Sequence, residues 1–180
     1  MLRLFSAVQI PKETTESLIS LQNGLTKAQW INPENFHITL SFFGEVDSSV
    51  ENELICAFNT IELPPFELRT NGFKVFSQED NTPHSLVVRI NSCETLDLLH
   101  KQMQCIRNRL KLPPDVRQFS PHITIARLLD IKSEDLSSYL SAREDFSIAP
   151  FWIHHFVLLL SPSPMSDDPY IVKGSWKLQA

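Results

Sequence analysis

The chain of 180 residues has little glycine, few cysteines and no long apolar run. Its four glycines form no Gly-rich stretch, which excludes a phosphate-cradling P-loop and a dinucleotide-binding fingerprint. The three cysteines, Cys56, Cys93 and Cys105, form no C-x-x-C pair, and this usage favours free thiols in a reducing cytosol. The longest apolar run, 156–160, is far shorter than the roughly 20 residues of a membrane span. Residues 1–10 resemble a strand rather than a secretory signal, so we predict a cytoplasmic protein without membrane insertion.

Basic residues are also in the minority, and the formal net charge of −5 argues against a protein that coats long nucleic acid. The charge is unevenly distributed. Residues 101–127 contain six basic side chains against one acidic side chain, a net +5, which leaves −10 on the rest of the chain. Such a basic segment favours a short anionic ligand, although a solvated helix face explains the same pattern. The length and the ordinary apolar content of 42% predict one globular domain over 1–180, expected as a monomer.

Hydrophobic periodicity predicts the same order of elements, β-α-β-α-β, in two successive halves of roughly 1–80 and 85–165. This division allows the halves to exchange terminal strands. Predicted strands are 2–10, 36–43, 85–90, 119–128, 151–160 and 170–178, with extended chain at 66–76 interrupted at Asn71-Gly72; predicted helices are 12–28, 48–61, 94–112 and 133–143.

The two halves align at an offset of 85 residues, which indicates an internal duplication. Phe36-His37-Ile38-Thr39-Leu40 then matches Pro121-His122-Ile123-Thr124-Ile125. With six histidines and nine threonines, chance predicts about 0.3 His-x-Thr tripeptides in such a chain. Two copies at equivalent places in a repeat therefore indicate a function.

Side chains alternate across a strand, so His37 and Thr39 share one face, and His122 and Thr124 share the equivalent face of the other copy. We expect both faces to meet across one cleft. Hydroxyl groups and a charged imidazole donate hydrogen bonds to phosphoryl oxygens, and imidazole titrates near neutral pH. The pattern therefore predicts acid–base catalysis on a phosphate ester, without a metal or another cofactor. The alternatives are hydrogen-bonded core histidines and a zinc site, and the zinc site lacks its usual third and fourth ligands.

The two H-x-T-x motifs resemble those of the two-histidine (2H) phosphoesterases, and more narrowly those of the LigT-like RNA 2′,3′-cyclic phosphodiesterases, also called 2′-5′ RNA ligases. The resemblance extends over nearly the whole chain. Besides the motifs, it rests on Arg3-Leu4-Phe5, Trp30, Pro33-Glu34-Asn35, Phe43-Gly44-Glu45-Val46, Phe66-Glu67-Leu68, Phe119-Ser120-Pro121, Ala126-Arg127 and Leu159-Leu160-Ser161.

This resemblance implies an α+β, bilobal fold, in which duplicated β-α-β-α-β units form an antiparallel, barrel-like sheet around a central cleft. It also implies hydrolysis of a terminal 2′,3′-cyclic phosphate on RNA or a nucleotide to a 2′-phosphomonoester. His37 would then be the proton donor and His122 the proton acceptor, with Thr39 and Thr124 holding the phosphate. A reversible 2′-5′ ligation would use the same groups.

The resemblance also implies that Arg127 contacts the nucleotide, since a guanidinium stacks on bases and pairs with phosphate. Tyr170 is a second candidate for substrate binding, evenly balanced against a place in the core. Two other functions stay open: a module that binds nucleotides or RNA ends without turnover, and a phosphodiesterase for a small cyclic phosphate or a 2′-5′ oligonucleotide.

The other conspicuous aromatic and imidazole side chains are expected to have structural places. We predict that Phe42, Phe43 and Trp152 lie in the core, and that His84 and His100 lie on the surface. His154 and His155 are adjacent, so at most one of them would reach the cleft.

Overall fold

A computed structural model describes residues 1–77, 82–115, 118–162 and 168–179. It contains nine strands and four α-helices within these ranges. The strands are β1 (Leu2–Gln9), β2 (Ala28–Trp30), β3 (His37–Val46), β4 (Phe66–Ser77), β5 (Pro83–Asn91), β6 (His122–Leu128), β7 (Phe151–Ile153), β8 (His155–Leu160) and β9 (Ile171–Lys177). The helices are α1 (Lys12–Ile19), α2 (Ser48–Phe58), α3 (Glu94–Arg109) and α4 (Ser133–Ser141), and a 3-10 turn covers Pro33–Asn35.

The strands form two antiparallel sheets that together confirm the predicted α+β fold with two duplicated halves. One sheet has the order β3-β1-β8-β9 and the other has the order β2-β6-β5-β4-β7. Each sheet contains strands from both halves of the chain. In the four-stranded sheet, β1 pairs with β8; in the five-stranded sheet, β2 pairs with β6 and β4 pairs with β5. The two halves are therefore tied together by strand pairing as well as by side-chain packing.

The predicted strand 151–160 is two strands in the structure. Phe151–Ile153 pairs with β4 in the five-stranded sheet, whereas His155–Leu160 pairs with β1 in the four-stranded sheet. The ladder is interrupted at His154, where the chain passes from one sheet to the other. A period-2 pattern continues through such a crossing, so the pattern predicts one strand where the hydrogen bonds define two.

The predicted helix 12–28 was too long. The α1 helix ends at Ile19, and Gly24 and Lys27 then adopt positive φ angles of 76° and 65°, which an α-helix cannot contain. Ala28 to Trp30 instead form β2, paired with β6. The predicted interruption at Asn71-Gly72 is a bulge within one continuous strand, because the β4–β5 register shifts between Thr70 and Phe73.

Strand β1 separates the two apolar clusters of the molecule. Leu4 and Val8 belong to the main core, which the helices cover, whereas Phe5 and Ala7 belong to a smaller cluster with Val157 and Leu159. Phe42 and Tyr170 pack against this second cluster. The four-stranded sheet therefore presents an apolar face on its second side, away from the main core.

Two of the three aromatic side chains predicted to lie in the core do not. Phe43 is buried, as predicted, but Trp152 is 52% exposed, because Phe151 and Ile153 occupy the inward positions of the short strand β7. Phe42 packs against the second cluster and is only partly buried. No helix in the described residues is long and apolar enough to span a lipid bilayer.

Candidate active site

The two H-x-T motifs occupy the beginnings of β3 and β6. In both strands the residues that alternate with the motif side chains are buried in the main core: Ile38, Leu40, Ile123 and Ile125. The burial of these four side chains anchors each strand, and the alternation turns the imidazoles and hydroxyls to the opposite face. The motif side chains are themselves partly buried.

Each motif is followed by a β-bulge at the same place. Thr39 lies opposite Ala7 and Ser41 opposite Ser6, so Leu40 is the extra residue in β3. In β6 the extra residue is Ile125, because Thr124 lies opposite Val87 and Ala126 opposite Leu86. A bulge inserts one residue and shifts the alternation that follows it.

The shifted alternation turns the third residue after each threonine toward the face of the motif. These residues are Phe42, opposite Phe5, and Arg127, opposite Ser85. The duplication therefore repeats a pattern of three residues that face the same cleft, His37-Thr39-Phe42 and His122-Thr124-Arg127. The prediction that Phe42 lies in the core was wrong because a strict period of two places it on the other face.

One cleft of about 740 Å³ is lined by all six residues that we predicted to act in catalysis or binding: His37, Thr39, His122, Thr124, Arg127 and Tyr170. The apolar part of its wall comes from Phe5, Ile31, Phe42, Leu128 and Leu129. Further polar groups come from Arg3, Gln29, Asn35, His84, Ser85 and Ser161. The structure thus brings together side chains that are up to 133 positions apart in sequence, from His37 to Tyr170.

Both imidazoles are anchored in the same way. Nδ1 of His37 donates to the main-chain carbonyl of Asn35 at 2.6 Å, and Nδ1 of His122 donates to that of Ser120 at 2.7 Å. A carbonyl oxygen only accepts, so Nδ1 carries the proton in each ring and Nε2 is the nitrogen that can exchange one. Nε2 of His37 lies 3.0 Å from Thr39 Oγ1, which donates its proton when the ring is neutral.

The surroundings of the two rings differ. His37 packs against Phe5 and Tyr170, whose ring centroids lie 5.1 and 5.3 Å from its own. Burial lowers the pKa of His37 to about 4; the hydrogen bond to the Asn35 carbonyl opposes this shift, and the nearby His122 adds to it. His37 is therefore neutral at pH 7 in the free protein. The ring of His122, by contrast, makes an edge contact with Phe76, with 4.8 Å between the ring centroids.

Asn35 is a site residue to which the sequence analysis assigned no role. Its buried side chain accepts from the main-chain N–H of Tyr170 at 3.0 Å and donates to the carbonyl of Asp168 at 3.2 Å. Its own carbonyl holds His37, so one residue orients the imidazole and the segment that carries Tyr170. The only signal in the sequence is the Pro33-Glu34-Asn35 turn directly before the motif, and Asn32 caps this turn.

Several expectations about the remaining polar residues need correction. His84 is exposed, as predicted, but it lines the cleft, with Nδ1 2.7 Å from Ser85 Oγ. His100 is not a surface residue, because it packs between β3 and the segment before β6. His154 and His155 line a separate groove of about 720 Å³ beside Trp152 and do not line the cleft, which agrees with the expectation that at most one of them would reach it.

The basic residues that the structure describes within 101–127 do not all lie on one surface. Arg107 is buried, 3.7 Å from the carboxylate of Asp115, whereas Arg127 lines the cleft. Arg117 lies outside the described residues. Among the residues that the structure covers, no three His, Cys, Asp or Glu side chains are grouped so that they could hold a metal ion.

Comparison with known proteins assigns the family. The sequence pattern of the family described as LigT-like phosphoesterase matches residues 8–87 and 88–165, that is, both halves of the duplication. The chain therefore belongs to the LigT-like phosphoesterases, which confirms the resemblance seen in the two motifs.

Individual relatives carry a more specific name. The RNA 2′,3′-cyclic phosphodiesterase of Methanocaldococcus jannaschii is 24% identical over 179 residues, covering 97% of this chain and all of that protein. The protein of the same name from Aeropyrum pernix is 29% identical over 99 residues, 54% of this chain. That alignment spans only 56% of the length of the Aeropyrum protein. Escherichia coli LigT, solved in complex with 3′-AMP, has the same fold, with a TM-score of 0.78, 20% identity and 99% coverage of both chains.

Proposed function

We propose that the protein is an RNA 2′,3′-cyclic phosphodiesterase, which hydrolyses a terminal 2′,3′-cyclic phosphate to a 2′-phosphomonoester. The observation that carries this proposal is the pair of imidazoles with identically anchored Nδ1 atoms, each followed by a threonine and lining one cleft. The names of the relatives support the same activity. We also propose a monomer that acts in the cytoplasm and requires no metal or other cofactor.

The reaction requires two proton transfers on opposite sides of one phosphorus atom. In the proposed sequence, Nε2 of His122 takes a proton from water while the water oxygen bonds to phosphorus. The bond from phosphorus to the 3′ oxygen breaks, and Nε2 of His37 donates a proton to that oxygen. Thr39 and Thr124 donate hydrogen bonds to the phosphoryl oxygens, on which negative charge develops. Each proton transfer typically contributes about 10² to 10⁴-fold to the rate.

The donor role of His37 depends on the bound substrate. Burial keeps this ring neutral in the free protein, so it lacks the proton that a donor must carry. The cyclic phosphate is an anion, and an adjacent negative charge favours the protonated imidazole and raises its pKa. We propose that His37 acquires its proton as the substrate binds.

Arg127 and Tyr170 are the proposed binding residues. Arg127 lies opposite Ser85 in one ladder and opposite Gln29 in the other, and both of these polar neighbours also line the cleft. A guanidinium in this place is suited to a phosphate or to the face of a base. Tyr170 stands edge-on to His37 and Phe5, so it contributes to the wall beside the proposed donor.

The decisive experiment uses an oligonucleotide that ends in a 2′,3′-cyclic phosphate, incubated with the protein and a chelator. We expect a 2′-phosphate product, and we expect little product from His37→Gln or His122→Gln. Binding of a 2′-phosphorylated nucleotide without turnover would instead indicate a binding module. Faster turnover of a small cyclic phosphate or of a 2′-5′ oligonucleotide would change the proposed substrate, and formation of 2′-5′ linkages would reveal the reverse ligation.

A further inference from the structure

Helix α3 belongs to the second half of the chain, but it contacts the motif strand of the first half through His100 and Gln104. Nδ1 of His100 donates to the main-chain carbonyl of Leu40 at 2.8 Å. One helical turn later, Nε2 of Gln104 donates to Ser41 Oγ at 3.3 Å. Leu40 is the extra residue of the bulge that follows Thr39, so α3 holds the first motif at the point where its alternation shifts.

The same imidazole also contacts the approach to the second motif. The ring of His100 stacks on Phe119, with a centroid distance of 3.9 Å and an interplanar angle of 6°. The next residue, Ser120, supplies the carbonyl that anchors Nδ1 of His122. One half-buried side chain therefore bridges the bulge of β3 and the segment that orients the imidazole of β6.

We propose that His100 is a positioning residue that sets the spacing of the two motifs across the cleft; this rests on the proposed function. Each motif is braced within its own half by a ladder and a bulge. The second motif strand also pairs with β2 of the first half, and the N–H of Ile31 donates to the carbonyl of its bulge residue, Ile125. His100 is the side chain that joins the first motif strand to the segment before the second motif. Two proton transfers at one phosphorus require both Nε2 atoms at defined places, and a displacement of about 1 Å costs up to about 100-fold in rate. His100 itself need not touch the substrate.

The proposal is tested with two variants that separate the two contacts. His100→Phe keeps an aromatic ring against Phe119 but loses the donor to Leu40, whereas His100→Asn keeps a donor and loses the ring. We expect His100→Phe to lower kcat on the cyclic phosphate about tenfold with KM within about twofold of the wild-type value. His100→Asn should recover part of kcat. The matched control is Lys101→Ala, an exposed position on the same helix, with unchanged kinetics.

A second readout does not depend on turnover. Ring C–H resonances of His37 and His122, recorded by NMR, should both shift in His100→Phe and remain in place in Lys101→Ala. If the wild-type protein lacks cyclic phosphodiesterase activity but these shifts occur, the proposed function fails and the positioning role stands. Wild-type kcat together with unshifted His37 and His122 resonances in a folded His100→Phe protein would overturn the proposal.

Discussion

Neutral His37 in the free protein is a property that titration can measure directly. With a pKa of about 4, only about 0.1% of the His37 rings carry a second proton at pH 7. The six histidines can be followed by NMR through their ring C–H resonances, with His37→Gln providing the assignment. We expect the His37 resonance to titrate about two and a half pH units below an ordinary imidazole, and a midpoint near 6.5 would show that burial does not lower its pKa.

The same shift makes stability depend on pH, with a defined sign. An unfolded chain protonates this histidine near pH 6.5 and the folded chain only near pH 4, so the unfolded state holds more protons between these values. The free energy of unfolding therefore rises as pH increases through this window. Between about pH 4.5 and pH 7, His37 should contribute a difference of about 2 kcal/mol.

Urea denaturation at the two pH values provides the assay. Relative to His37→Gln, the wild-type protein should lose about 2 kcal/mol more of its unfolding free energy at the lower pH. His122→Gln is the control, because it retains the buried imidazole and should keep most of the pH dependence. Parallel losses in the wild-type and His37→Gln proteins would show that burial does not control this ring.

A bound anion should reverse the shift: inorganic phosphate or a 2′-phosphorylated nucleotide should raise the NMR midpoint of His37, and an unchanged midpoint at saturation would contradict the proposed donor role. A cyclic substrate with sulfur in place of the 3′ oxygen should restore turnover in His37→Gln, because a thiolate leaves without a proton. It should not restore turnover in His122→Gln, and the opposite pattern would exchange the two roles. Asn35→Ala should destabilise the protein by about 2 kcal/mol and lower kcat, because the N–H of Tyr170 and the carbonyl of Asp168 lose their hydrogen bonds to the Asn35 side chain. A Tm equal to that of the wild type would show that water replaces this side chain. Arg127→Ala should raise KM about tenfold on an oligonucleotide, with Arg127→Lys intermediate; equal KM values would place Arg127 outside the binding surface.

The cleft-facing motif residues were predictable because they follow from local chemistry. Alternation across a strand is a property of the backbone alone, and the burial of Ile38 and Ile123 agrees with it. The internal repeat predicted that the two motifs occupy equivalent places, because each half of the chain contains the same apolar anchor and the same polar face. The predicted order of elements therefore needed one added strand, β2, the division of 151–160 into β7 and β8, and corrections of length.

The orientation of Phe42 could not be predicted from the local sequence. The residues Leu40-Ser41-Phe42 do not indicate a bulge, because a bulge depends on the register of the strand with its partner. The partner of β3 is β1, and the shift between Ser6 and Ala7 defines the bulge. His100 was misplaced for a related reason: its partners, Leu40 and Phe119, are 60 positions before it and 19 positions after it.

By itself, the sequence determined the strand faces of the two motifs, their duplication and the type of chemistry that we propose for their side chains, because these depend on neighbouring residues and on the groups present. The tertiary structure alone decided that β8 pairs with β1 and β4 with β5, that bulges turn Phe42 and Arg127 into the cleft, and that Asn35 and His100 brace the imidazoles. It also decided the unequal environments of His37 and His122, because burial and electrostatic interactions depend on groups brought together from distant parts of the chain.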